Sequence, residues 1–124
     1  MNETLDLDAI NWLNVPDVAK RLDVEISHVR GLLDERALIG IKRGERSIFQ
    51  VPAAFLIESA DGDGVMEVLP TLRGTVTLLA DQGFTDAEAI EWLFTHDDAL
   101  GSTPVDALRA GQRAAVRRLA QTLV

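Results

Sequence analysis

The chain has 124 residues, 47% of them hydrophobic and 26% charged, with a formal net charge of −8 and no cysteine. That length supports a real core in one domain, or in two small ones sharing a core, and the missing cysteine excludes a disulfide framework or a thiolate metal site. No stretch approaches the ~18 apolar residues of a membrane-crossing helix, and the acidic opening MNETLDLDAIN has no apolar run of the secretory kind, so a cytoplasmic protein is expected.

The charge is unevenly laid out. Residues 1–9 carry −3, residues 10–55 carry +1, residues 56–106 carry −10 and residues 107–124 carry +4. A ligand meets the local field, so acid in one segment does not forbid a basic face in another.

Residues 1–9 are polar and acidic and are expected to form a mobile tail. Asn14-Val-Pro-Asp17 then reads as a helix start. Asn14 caps, Pro16 sits where its missing N–H costs little, and Asp17 favours the positive helix end. Val15, Val18, Ala19 and Leu22 follow at helical spacing and make one apolar face. Leu22-Asp-Val24 makes a turn. A second helix is expected from about Ile26 to Arg36, with Val29, Leu32 and Leu33 inward and Ser27, His28, Arg30 and Gly31 outward. Ala37-Leu-Ile-Gly-Ile41 and Ser47-Ile-Phe-Gln-Val-Pro52 flank Lys42-Arg-Gly-Glu-Arg46. Apolar runs on both sides of a glycine-containing polar turn predict a β-hairpin, its tip bearing three cations and one acid. A hairpin directly after a two-helix unit has the layout of a wing.

The run AAFLIE at 53–58 predicts the start of another helix, and SADGDG at 59–64 a linker. Asp61, Asp63 and Gly64 hint at a calcium loop, but the further oxygen ligands and terminal Glu are missing, so no metal site is expected. Residues 65–124 read as helical. Pro70 to Ala80 forms a helix ended by Gly83, and Thr85-Asp-Ala-Glu88 is a capping box opening a helix with Ala89, Ile90, Trp92, Leu93 and Phe94. His96-Asp-Asp98 breaks it, and Ser102-Thr-Pro104 opens a further turn. Ala110 to Val124 predicts a last helix, with Ala115, Val116, Leu119 and Leu123 on one side and Arg113, Arg117 and Arg118 decorating it after Arg109. The fold class expected is mainly α: a winged helix-turn-helix over residues 10–58, the linker, and a helical C-terminal domain over residues 65–124.

Catalysis is not expected, and no cofactor is implied. The chain has no Cys or Tyr, His28 and His96 lie far apart, and no glycine-rich phosphate loop is present. The scattered acids read as solvated surface and helix-capping charge. Trp12 and Trp92 sit in apolar patterns and are expected in the core rather than as base-stacking platforms.

The pattern Val15-x-x-Val18-Ala19-x-x-Leu22-x-Val24-x-x-x-x-Val29-x-x-Leu32-Leu33, followed by the Lys/Arg-Gly hairpin and Phe49-x-Val51-Pro52, resembles the excisionase and MerR-type winged helix-turn-helix over residues 12–55. Trp12-Leu-Asn-Val-Pro-Asp-Val-Ala19 and Gly83-Phe-Thr-Asp-Ala-Glu-Ala-Ile-Glu-Trp-Leu-Phe94 carry a closer likeness. From Asn11 onward the chain is similar to a small actinobacterial family of winged-helix DNA-binding proteins with a helical C-terminal domain, one member of which is a substrate of a membrane serine/threonine kinase. Trp92-Leu, Ala99-Leu-Gly, Thr103-Pro-x-Asp-x-Leu108, Gly111 and Val116 also resemble the toxin-binding domain of some bacterial antitoxins.

These resemblances imply a regulator of transcription or of the nucleoid that binds double-stranded DNA. Ser27, His28 and Arg30 would face base edges in the major groove. Lys42, Arg43 and Arg46 would meet the backbone or an adjacent minor groove, with Lys20 and Arg21 as further backbone contacts. Two positions depart from the pattern: Asp23 stands where such turns often have Gly, and Glu25 where they often have a Ser or Thr cap. Thr4, between Glu3 and Asp6, is the only Ser or Thr before residue 27 and lies in the segment expected to be mobile, so it is the candidate for phosphorylation, given that the resembling family includes a kinase substrate. The alternative, motivated by the −10 segment, is a protein-interaction module with a weak or vestigial DNA-binding unit. The last helix could pair with a second copy, but packing on the protein's own helices, and so a monomer, is the expectation.

Overall fold

The structure is a computed structural model and describes residues 9–123. Strand β1 (Trp12–Asn14) runs into α1 (Val15–Leu22) and α2 (Ile26–Asp34). Strands β2 (Ile41–Arg43) and β3 (Ile48–Pro52) form the hairpin. A 3₁₀ turn (Ala53–Phe55) leads to β4 (Leu56–Glu58) and β5 (Met66–Val68), then to α3 (Leu72–Asp81), α4 (Asp86–Leu93), α5 (Pro104–Arg109) and α6 (Arg113–Gln121). The first sheet has the order β1-β3-β2, all antiparallel, with Leu13 opposite Val51 and Lys42 opposite Phe49. Alternation along the strands sends Leu13 and Val51 into the core. It leaves Trp12, Arg43, Ile48 and Gln50 on the other face.

Several expectations are corrected, among them the helical reading of residues 65–124, of which Met66–Val68 form a strand. The run 53–58 is not a helix. Five apolar residues and Glu58 follow Pro52, and their backbone bonds in a short 3₁₀ turn and in strand pairing rather than in an α-helix. Strand β4 pairs with β5, Leu56 opposite Val68, and Arg109 Nη1 donates to the Ala54 and Leu56 carbonyls, each at 2.7 Å. Residues 59–64 form the loop of that hairpin, closed by Ser59 N–H donating to Val65 O at 3.0 Å and by Asp63 Oδ1 accepting from Val65 N–H at 3.0 Å. The last helix starts at Arg113 rather than Ala110, because Gly111 adopts φ +85° and separates it from α5. The second helix likewise ends at Asp34, and Arg36 takes φ +59°.

One apolar cluster runs through both halves, from Leu13, Val18 and Val29 to Leu72, Ile90, Leu108 and Val116. Phe55 meets Phe94 across the seam, with ring centroids 5.8 Å apart. Arg36 bonds Asp86, and Arg73 Nη2 donates to Glu35 Oε2 at 2.8 Å. Together with Arg109, these contacts anchor the end of α2 and the exit of β3 to the C-terminal half. Trp12 and Trp92 are half-buried and pack on the edge of the core. Helix α6 buries Val116 and Ala120 against its own fold, while Leu123 is exposed. The acidic tail and Thr4 lie outside the described residues, apart from Ala9.

Candidate nucleic-acid interface

Helix α1 begins as its sequence dictates. Asn14 is extended, and its Oδ1 accepts from Asp17 N–H at 2.9 Å. The helix ends at Asp23, which takes φ 57° and ψ 49°, while Val24 N–H donates to Ala19 O at 3.0 Å. The turn thus adopts the glycine-type conformation. Aspartate tolerates it better than most residues because its short side chain bonds locally. This redirects the chain into α2 after three residues and leaves Lys20 and Arg21 exposed.

Helix α2 is held by one fully buried side chain, Val29, with Leu32 and Leu33 half-buried beside it. Ser27, His28 and Arg30 are exposed on the opposite side. Glu25 occupies the N-cap in extended geometry (φ −72°, ψ 154°), yet its side chain makes no capping bond. Its carboxylate stands at the mouth of the helix whose N-terminal residues would enter a groove.

From α2 the chain returns to the sheet through Leu38, Ile39 and Gly40, all buried. A Cβ on Gly40 would lie 2.3 Å from the Gln50 carbonyl oxygen and 2.9 Å from two atoms of the Phe49 ring. The close passage of residue 40 under β3 therefore sets where the wing emerges. The tip closes with Ser47 N–H donating to Gly44 O at 3.1 Å. Lys42 and Arg46 are exposed. Arg43 is half-buried: its Cζ lies 4.4 Å from the centroid of the Trp12 ring, and Nη1 lies 3.5 Å from Gln50 Oε1. A guanidinium over an indole face is attracted by the ring quadrupole. The wing cations are therefore not equivalent. Among the described residues, Lys42 and Arg46 make no ion pair or hydrogen bond, whereas Arg43 lies across the sheet on Trp12. The sequence did not point to this pairing, which spans β3. Its one signal was alternation, which puts Trp12 and Arg43 on the same face once the three-strand order is known.

Nothing among the described residues gathers a reactive centre. Asp61 and Asp63 make local turn contacts, and no three potential ligands converge as a metal site would require. Two surface clefts, of about 430 and 240 Å³, are lined mainly by apolar residues with one arginine each, Arg109 and Arg118. Glu88 closes its capping box with Thr85 in both directions, and these hydrogen bonds hold its carboxyl below the usual carboxylate range. The acids of the second half thus include structural caps.

Comparison with known proteins accords with this arrangement. Residues 2–56 match the family model for the DNA-binding protein Rv2175c, winged helix-turn-helix domain, and residues 69–124 match that for the Rv2175c C-terminal domain of unknown function. The DNA-binding protein Rv2175c of Mycobacterium tuberculosis is 33% identical over 134 residues, spanning 98% of this chain and 86% of the relative. The NMR structure of Rv2175c superposes with a TM-score of 0.76 at 33% identity, over 98% of this chain and 86% of that one. The chain belongs to the Rv2175c family of DNA-binding proteins, in which a winged helix-turn-helix precedes a C-terminal domain.

Proposed function

We propose that the protein is a sequence-dependent DNA-binding regulator of transcription or of the nucleoid, acting in the cytoplasm. Helix α2 enters the major groove with Ser27, His28 and Arg30 toward base edges. Lys42 and Arg46 of the wing, with Lys20 and Arg21 of α1, meet phosphates. The observation that carries this reading is an exposed polar helix face followed by a wing with uncommitted cations, in the part of the chain that holds +1 while the next segment holds −10. The DNA-binding relative supports it.

Affinity in this reading is modest, because few phosphates are neutralised and Glu25 opposes them, and its dependence on salt is correspondingly shallow. Each phosphate contact contributes about 0.9 to the slope of log affinity against log salt. Replacing Lys42 and Arg46 with Ala should weaken binding to all duplexes alike and reduce that slope by about 2. Unchanged binding by this double variant would remove the wing from the mechanism.

Thr4 carries the regulatory part of the proposal, through a serine/threonine kinase. A phosphate adds about −1.5 to −2 charge to the acidic segment leading into Trp12, and this charge acts against DNA. Phosphorylated protein that bound duplex as tightly as the unmodified form at low salt would refute the switch.

A further inference from the structure

Among the described residues only Ile26, Ile48 and Leu123 are large apolar side chains exposed to solvent, at 40%, 45% and 38%. Two of these three stand on the DNA-facing elements, Ile26 at the first position of α2 and Ile48 in the wing. Ile26 has no structural need to be apolar. The positions that staple a helix start, before the cap and four residues into the helix, are filled by Val24 and Val29, and both already pack in the core. Ile26 is also a weak helix former. It sits four residues before Arg30, so the two share one ridge of the helix, about 6 Å apart along its axis.

The major groove offers one apolar feature, the C5-methyl of thymine, and arginine pairs bidentately with guanine O6 and N7. We propose that Ile26 is a specificity-determining residue that packs on a thymine methyl, within about two base pairs of a guanine read by Arg30. The spacing follows from the ~6 Å between the side chains and the ~3.4 Å rise per base pair. This inference rests on the proposed placement of α2 in the major groove and adds to it a base that no hydrogen-bonding residue of the helix would read.

The test uses the full chain and duplexes selected by it from a random pool. Each thymine of a selected duplex is replaced singly by deoxyuridine, which lacks only the methyl, and each guanine by 7-deazaguanine, which lacks the N7 acceptor. One thymine should weaken binding about 4-fold on replacement, the equivalent of about 0.8 kcal/mol for one buried methyl. With Ile26→Ala the thymine and uracil duplexes should bind equally, while Ile26→Val keeps most of the difference. Arg30→Ala should erase the 7-deazaguanine effect at a guanine within two pairs of that thymine. Thermal melts check that each variant is folded. A uracil effect that is absent at every thymine, or that survives Ile26→Ala, overturns the proposal while leaving DNA binding intact. Failure of the parent chain to retain any duplex overturns the DNA reading and this inference with it.

Discussion

Gly40→Ala is the most discriminating substitution the fold offers. The added Cβ would lie 2.3 Å from the Gln50 carbonyl oxygen, whereas carbon and carbonyl oxygen ordinarily approach no closer than about 3.3 Å. The oxygen must therefore retreat by about 1 Å. It belongs to the central strand β3, whose residue 50 is paired with Asn14 on one side and Ile41 on the other. The Phe49 ring, 2.9 Å away, can turn aside, but the strand cannot move without loosening a ladder. Overpacking of this kind costs about 1–3 kcal/mol, and more where backbone must move. For a chain of this length that is a fall in Tm of roughly 5–15 °C. The control is Gly74→Ala in α3, where a Cβ meets nothing within 4 Å and the helix should gain about 1 kcal/mol. The assay is paired thermal and urea melts. The same one-methyl change should shift stability in opposite directions, and Gly40→Ala should also weaken duplex binding by displacing the wing. A Gly40→Ala protein melting within about 2 °C of the parent would refute the argument.

Glu25→Ser supplies the missing cap of α2 and removes a carboxylate from the mouth of that helix. It should raise stability by about 0.5–1 kcal/mol in a urea melt and tighten duplex binding at low salt. Gly31, also free of neighbours within 4 Å, should stabilise α2 by about 1 kcal/mol when replaced by Ala. The same methyl should reduce duplex affinity in a titration if the helix backbone nears the groove floor. Glu88 has a lowered folded pKa, so its contribution is complete above the usual carboxylate pKa and is lost as pH falls through the lower folded value. Glu88→Gln should therefore flatten the acid limb of stability against pH, measured by melts across that range.

Local signals were legible in the sequence. The Asn14 cap, the helical spacing of Val15, Val18, Ala19 and Leu22, the capping box at Thr85 and the wing hairpin all rest on interactions within a few residues. Pairings between distant segments were not. Strand β1 is three residues long, and its partner Val51 lies 38 positions from Leu13, so no period announces it. Strands β4 and β5 are equally short, and a Gly-Asp loop between them reads like any linker. The outward face of α2 was visible from periodicity alone. The different fates of Lys42 and Arg43 were not, because Trp12 reaches Arg43 only across the intervening strand.

The three arginine anchors across the seam bear on how this architecture can be taken apart. A fragment cut within residues 59–64 would sever a hairpin, strip Arg109 from the Ala54 and Leu56 carbonyls, and leave Phe55 and the foot of α2 without Phe94, Asp86 and Arg73. The newly bared apolar surface would favour aggregation over autonomous folding. The winged unit is therefore poorly suited to transplantation. Chimeras that exchange the C-terminal half must carry matched residues on both sides of the join, and drift at Arg36, Arg73 or Arg109 is tied to drift at the groups they bind.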